Sequence, residues 1–199
     1  MWGVGLHHRS WEGRGLGDSQ VARLGLCQFS KLIQDSVVPC VCRIMKLSSK
    51  EREFHRKIAV DCFNRAWDLM DKKTRSDDDD LLMLHMAHTS RYHWGFVGRP
   101  TNRAVGEWQL SRIYAILGQP QLALLFAKSC LQTCEENGLS QIMHTAYEAM
   151  ARAYAVSKKY REARRYLDRA RRQLNRLTLS KDDREVYLDQ LAETELLIR

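Results

Sequence analysis

Between Tyr147 and Ala170 the chain holds two runs of helical periodicity separated by only a short polar break, Ser157-Lys158-Lys159. Tyr147, Met150, Ala151 and Tyr154 recur at three- and four-residue intervals on the first run, and Ala163, Tyr166, Leu167 and Ala170 do so on the second. Two helices of similar length joined this tightly must turn back on each other, which makes the segment an antiparallel helical hairpin.

The same periodicity extends over most of the chain from Met45 onward. A first helix is predicted at about residues 49–70, with Phe54, Ile58, Cys62, Phe63, Ala66, Trp67 and Met70 on one face. Ser48 or Ser49 can cap it, and Glu51 and Glu53 suit its positive end. The run DKKTRSDDDD leads to a second helix at about residues 78–93. Four aspartates there suit a helix start; a calcium loop would need alternating ligands, a glycine and a distal glutamate. The turn GFVGRPTN separates this helix from a third at about residues 102–117, which Gly118 ends. Pro120 fits the first turn of a fourth helix, closed by Asn137-Gly138. A fifth helix at about 140–156, a sixth at about 159–174 and a seventh at about 181–198 complete the chain.

The segment 147–170 resembles the tetratricopeptide pattern. In that family an aromatic, a large–small pair and a tyrosine line the first helix, and small–aromatic–small residues line the second. Small residues let the two backbones approach where they cross, and large ones fill the gap beside them. Leu110, Ser111, Tyr114, Gly118, Ala123, Ala127 and Cys130 match more loosely at the corresponding offsets, and Phe63, Asn64 and Trp67 suggest a third, degraded copy. The likeness covers about residues 50–176. SRYHW, GEWQLSRIYAILG and AYEAMARAYAV are also similar to short bacterial tetratricopeptide-like proteins without an assigned activity. The resemblance implies an all-α fold of tandem antiparallel helical hairpins, an α-solenoid of about three hairpins with the last helix as a cap.

Residues 1–44 read differently: six of the 11 glycines are here and the apolar residues follow no sustained period. Two readings compete, a tail outside the fold or an over-extended gene start with Met45 as the true first residue. The second is preferred, because a solvated tail rarely exposes Trp2, Trp11 and a VVPCVC run. The helical domain is accordingly expected over 45–199. Only 3 prolines in 199 residues leave room for long helices. The formal charge of +8 permits anionic partners without specifying one. None of the six cysteines (27, 40, 42, 62, 130 and 134) forms a CxxC pair, and reduced core cysteines in a cytoplasmic protein are expected. No stretch approaches the roughly 20 apolar residues that span a bilayer, so no membrane partner is expected.

One feature shared by the aligned helices points to a site. Arg65, Arg112 and Arg152 each lie two residues before Trp67, Tyr114 and Tyr154, and so point about 160° away from the inward aromatic. The resemblance places this position on the concave groove, where successive arginines would form a ladder of planar donors for carboxylates or phosphates. Trp108 and Glu148 fall on the same face. The competing reading is solvated arginines or structural ion pairs. His85 and His88 share a face, as i and i+3 neighbours do, and with Glu107 could hold a divalent metal, but His93 is rotated away and no HExxH set exists. The arginine-rich stretch 158–176 could track nucleic-acid phosphates, though Glu162 and Asp168 interrupt its charge. No nucleophile elbow, phosphate loop or dinucleotide fingerprint is present, and no cofactor is implied. The expectation is a non-catalytic protein- or peptide-binding scaffold for an acidic partner, with self-association left open. The alternatives are a metal-dependent enzyme at His85 and His88, and nucleic-acid binding through 158–176.

Overall fold

The computed structural model describes residues 47–198, and the boundary expected at Met45, with Cys27, Cys40 and Cys42, lies outside them. Among the described residues there are seven α-helices and no strand. They are α1 (Ser49–Met70), α2 (Asp77–Val97), α3 (Pro100–Ile116), α4 (Pro120–Glu136), α5 (Met143–Val156), α6 (Tyr160–Asn175) and α7 (Lys181–Leu196), with a 3₁₀ turn at Ser140–Ile142.

Local chemistry sets where each helix begins. Ser48 and Glu51 form a reciprocal capping box on α1, and Ser76 and Asp79 form one on α2. Lys72 and Arg75 each bind one of the first-turn aspartates, Asp79 and Asp80, at 2.6 Å. The acidic run is thus a helix start, as its position suggested. Pro100 and Pro120 open α3 and α4, where a missing N–H costs nothing.

The chain reverses by the same device three times. Gly118, Gly138 and Lys158 adopt left-handed φ values of 67°, 62° and 59°. In each case the next N–H reaches back to a carbonyl in the helix's last turn, at Tyr114, Cys134 and Tyr154, over 2.9 Å. Lys158 is the one of the three that holds this conformation with a side chain, at a steric cost glycine avoids. The connection between α2 and α3 is shorter than expected. The helix runs on through Phe96 and Val97, so only Gly98 and Arg99 remain of the predicted turn. A Cβ at Gly98 would sit 2.6 Å from the Trp94 carbonyl oxygen, which explains the glycine.

Consecutive helices pack as antiparallel pairs, α1 with α2, α3 with α4 and α5 with α6. Ser90 Oγ donates to the Ala59 carbonyl between α2 and α1 at 2.8 Å, and Ser111 Oγ to the Ala123 carbonyl between α3 and α4 at 2.9 Å. Fully buried alanines (Ala59, Ala87, Ala123, Ala127, Ala163 and Ala170 among them) allow these approaches. Tyr114 stacks on Phe126 in one hairpin and Tyr154 on Tyr166 in the next, at centroid distances of 5.4 and 5.6 Å. Both pairs are related by the sequence interval of 40 that also separates Trp108 from Glu148. The hairpins α3–α4 and α5–α6 therefore repeat in space as well as in sequence. Among the odd-numbered helices, α3 lies against α5 and α5 against α7.

Candidate carboxylate groove on α3 and α5

The 40-residue repeat brings Trp108 and Arg112 of α3 beside their equivalents, Glu148 and Arg152 of α5. Each pair is one helical turn apart and so faces the same way. Glu148, only 2% exposed, is the centre. Trp108 Nε1 donates to its Oε2 over 2.7 Å, and Arg152 Nε and Thr194 Oγ1 donate to its Oε1 over 2.8 and 2.6 Å. Burial pushes the Glu148 carboxyl up, but Arg152, Arg112, Thr194 and Trp108 together outweigh it and hold it below the ordinary carboxylate value. It stays charged.

Arg112 is 8% exposed and Arg152 6%. The Arg112 guanidinium lies 5.5 Å from the Trp67 ring centre and 6.0 Å from that of Trp108, a cation held between two indoles. Its Nη2 donates to Glu193 Oε2, and Arg152 Nη2 reaches the same oxygen at 3.4 Å. Arg112 Nη1 is buried with no hydrogen-bond partner. Burial and the neighbouring Arg152 pull the Arg112 pKa down, while Glu148 and Glu193 act to keep the cation. Two guanidiniums against Glu148 leave one positive charge in excess, and Glu193 neutralises it.

The sequence-derived set is thus partly assembled. Trp108, Arg112, Glu148 and Arg152 meet in one place, but as a buried network rather than an open ladder of free donors. Arg65 does not join them: it is exposed on α1, and Trp67 is the α1 residue that reaches Arg112. Sequence reasoning missed Glu193 and Thr194, because α7 was read as a cap. The acidic composition of that helix, beside so many arginines, was the available signal.

The histidine reading fares differently. His85 and His88 are both exposed on α2, and His88 Nε2 is 2.8 Å from the Tyr114 hydroxyl. Partial desolvation of the ring against Tyr114 and Phe126, then His85, pulls the His88 pKa down. Glu107, the suggested third ligand, is instead buried, accepting from Arg91 Nη2 and Thr133 Oγ1 at 2.8 Å each. His93 pairs with His55 of α1, their Nδ1 atoms 3.0 Å apart. No group of three metal-ligating side chains gathers among the described residues.

Along α6, Arg161, Arg164, Arg165 and Arg172 are exposed. Arg169 instead covers the Tyr147 ring at 4.5 Å, and Arg171 pairs with Glu195 of α7. Among the described residues no helix is long and apolar enough to cross a membrane. No family model, curated protein or solved structure matches the chain.

Proposed function

We propose that this protein is a non-catalytic interaction module of tetratricopeptide-like hairpins, whose Arg112–Arg152 groove receives a carboxylate of an acidic protein or peptide segment. The supporting observation is that arginines from two successive hairpins converge on one carboxylate oxygen, that of Glu193. Planar guanidiniums suit this geometry, and indoles on either side restrict where an acid can enter. Trp67 and Trp108 supply apolar contact, Arg112 and Arg152 orientation, while Glu148 holds Arg152 in place and offsets the charge of Arg112.

Display selection of helical peptides against the full chain tests this. Enriched sequences should be acidic, and the acidic bias should vanish for an Arg112→Gln/Arg152→Gln variant that retains its helicity. Enrichment without acidic bias, or a bias the variant keeps, rejects the groove as the site. Nucleic-acid binding along α6 is the second reading, favoured by the exposed Arg161, Arg164, Arg165 and Arg172. It requires retention on RNA or DNA that falls steeply with salt.

A further inference from the structure

α7 is itself an acidic helix docked on a basic surface. It carries six carboxylates against Lys181 and Arg184, whereas α6 beneath it carries six arginines against Glu162 and Asp168. Its attachment has two kinds of contact. Leu191 and Thr194, at i and i+3, are buried on one face, and Ile198, two residues past the helix end, is buried as well. Glu193 and Thr194, adjacent in sequence, then divide the groove between them. Glu193 takes the two arginines, and the Thr194 hydroxyl takes Glu148.

The docking is not that of a finished cap. An end helix in a repeat array needs a polar outer face, yet Val186, Leu188, Leu196 and Leu197 are 46, 47, 66 and 39% exposed. Glu193 remains 43% exposed at the groove mouth, and the Arg171–Glu195 pair is also open to water. Arg112 keeps one nitrogen unpartnered even with α7 in place. The groove therefore holds more donor capacity than α7 uses.

We propose that the partner of this groove is an acidic amphipathic α-helix of another protein, and that α7 is its in-chain stand-in and competitor. This rests on the carboxylate reading above and deepens it. The partner helix carries an adjacent carboxylate–hydroxyl pair for the arginines and Glu148. Apolar residues two before the carboxylate and five after it match Leu191 and Ile198. A carboxylate seated deeper than that of Glu193 would also engage the idle Arg112 nitrogen.

The probe is a fluorescein-labelled synthetic peptide with the sequence of residues 180–199, added to the full chain. Leu191→Asp in the chain frees α7 without touching α3 or α5. Glu193→Ala, at a part-exposed position, is the milder alternative should the first variant lose helicity. The freed chain should bind the peptide at least about tenfold tighter than the unsubstituted chain, because the tethered helix competes at high effective concentration. Glu193→Gln in the peptide should weaken binding about tenfold, and Arg112→Gln in the freed chain should erase that difference. Equal binding to the freed and unsubstituted chains overturns α7 as a competitor but leaves the groove intact. Indifference to Glu193→Gln in the peptide overturns the carboxylate reading itself. An unsubstituted chain that is dimeric by light scattering, with α7 exchanged between copies, overturns the foreign partner in favour of a second copy.

Discussion

Acid should destabilise this protein through His144 by an amount the structure lets one work out. His144 sits near the start of α5 with only 2% of its surface exposed, its ring 4.3 Å edge-on from that of Tyr187 on α7. Burial pulls the imidazole from 6.5 to about 4, against the opposing influence of Gln141 and Glu148. Between those values the unfolded chain binds a proton that the folded chain refuses, so stability is complete above about pH 6.5 and is lost as pH falls toward 4. A pKa difference of about 2.5, at about 1.4 kcal/mol each, caps the loss at roughly 3.5 kcal/mol, of which roughly 2.5 kcal/mol has gone by about pH 4.5. Urea unfolding followed by circular dichroism at about pH 7 and pH 4.5 measures it. Carboxylates titrate in the same range, so the comparison is with His144→Gln, which keeps a polar side chain but cannot take up the proton. The wild-type protein should lose roughly 2.5 kcal/mol more than the variant over that interval. If both lose the same amount, His144 is not held neutral by burial and the reasoning fails.

Four further outcomes follow from the packing. Glu148→Ala leaves the buried Arg152 without its carboxylate partner and Arg112 without a neighbouring negative charge, and should cost about 3–5 kcal/mol by urea unfolding; Arg65→Ala, at an exposed position, should change stability by no more than about 0.5 kcal/mol. Lys158→Gly removes the side chain from a left-handed position where Gly118 and Gly138 are already glycine, and should raise stability by about 1 kcal/mol; a loss would show that the unfolded chain's added freedom dominates. Leu174→Ala empties a fully buried site in the α6–α7 core and should cost about 2–5 kcal/mol, read as a drop in Tm.

The helices were legible because their signals are local. Caps, first-turn prolines and helix-ending glycines act over four or five residues, so their positions follow from sequence alone. Where the reading missed, the cause was tertiary. GFVGRPTN looked like a loop by composition, yet Trp94 packs at its start and the helix persists to Val97. The same holds for the candidate site: Trp108, Arg112, Glu148 and Arg152 could be grouped from their 40-residue register. Arg65 shared that pattern and failed, because α1 sends Trp67, not its arginine, to the groove.

By itself, then, the sequence determined the all-helical architecture, the hairpin pairing and the face on which Arg112 and Arg152 stand. Periodicity and backbone termination settle these within each helix and its neighbour. Only the tertiary structure decided that the two arginines are buried and that Glu148 anchors them. It also decided that α7 carries Glu193 and Thr194 into their reach. Arg152 is a neighbour of Glu148 one turn along α5, but its other two partners, Trp108 and Thr194, lie 40 and 46 residues away, and Glu193 lies 81 from Arg112. No local rule fixes which of many arginines and carboxylates meet over such separations. That pairing is set by how the helices stack, and by the cost of leaving a charge buried alone.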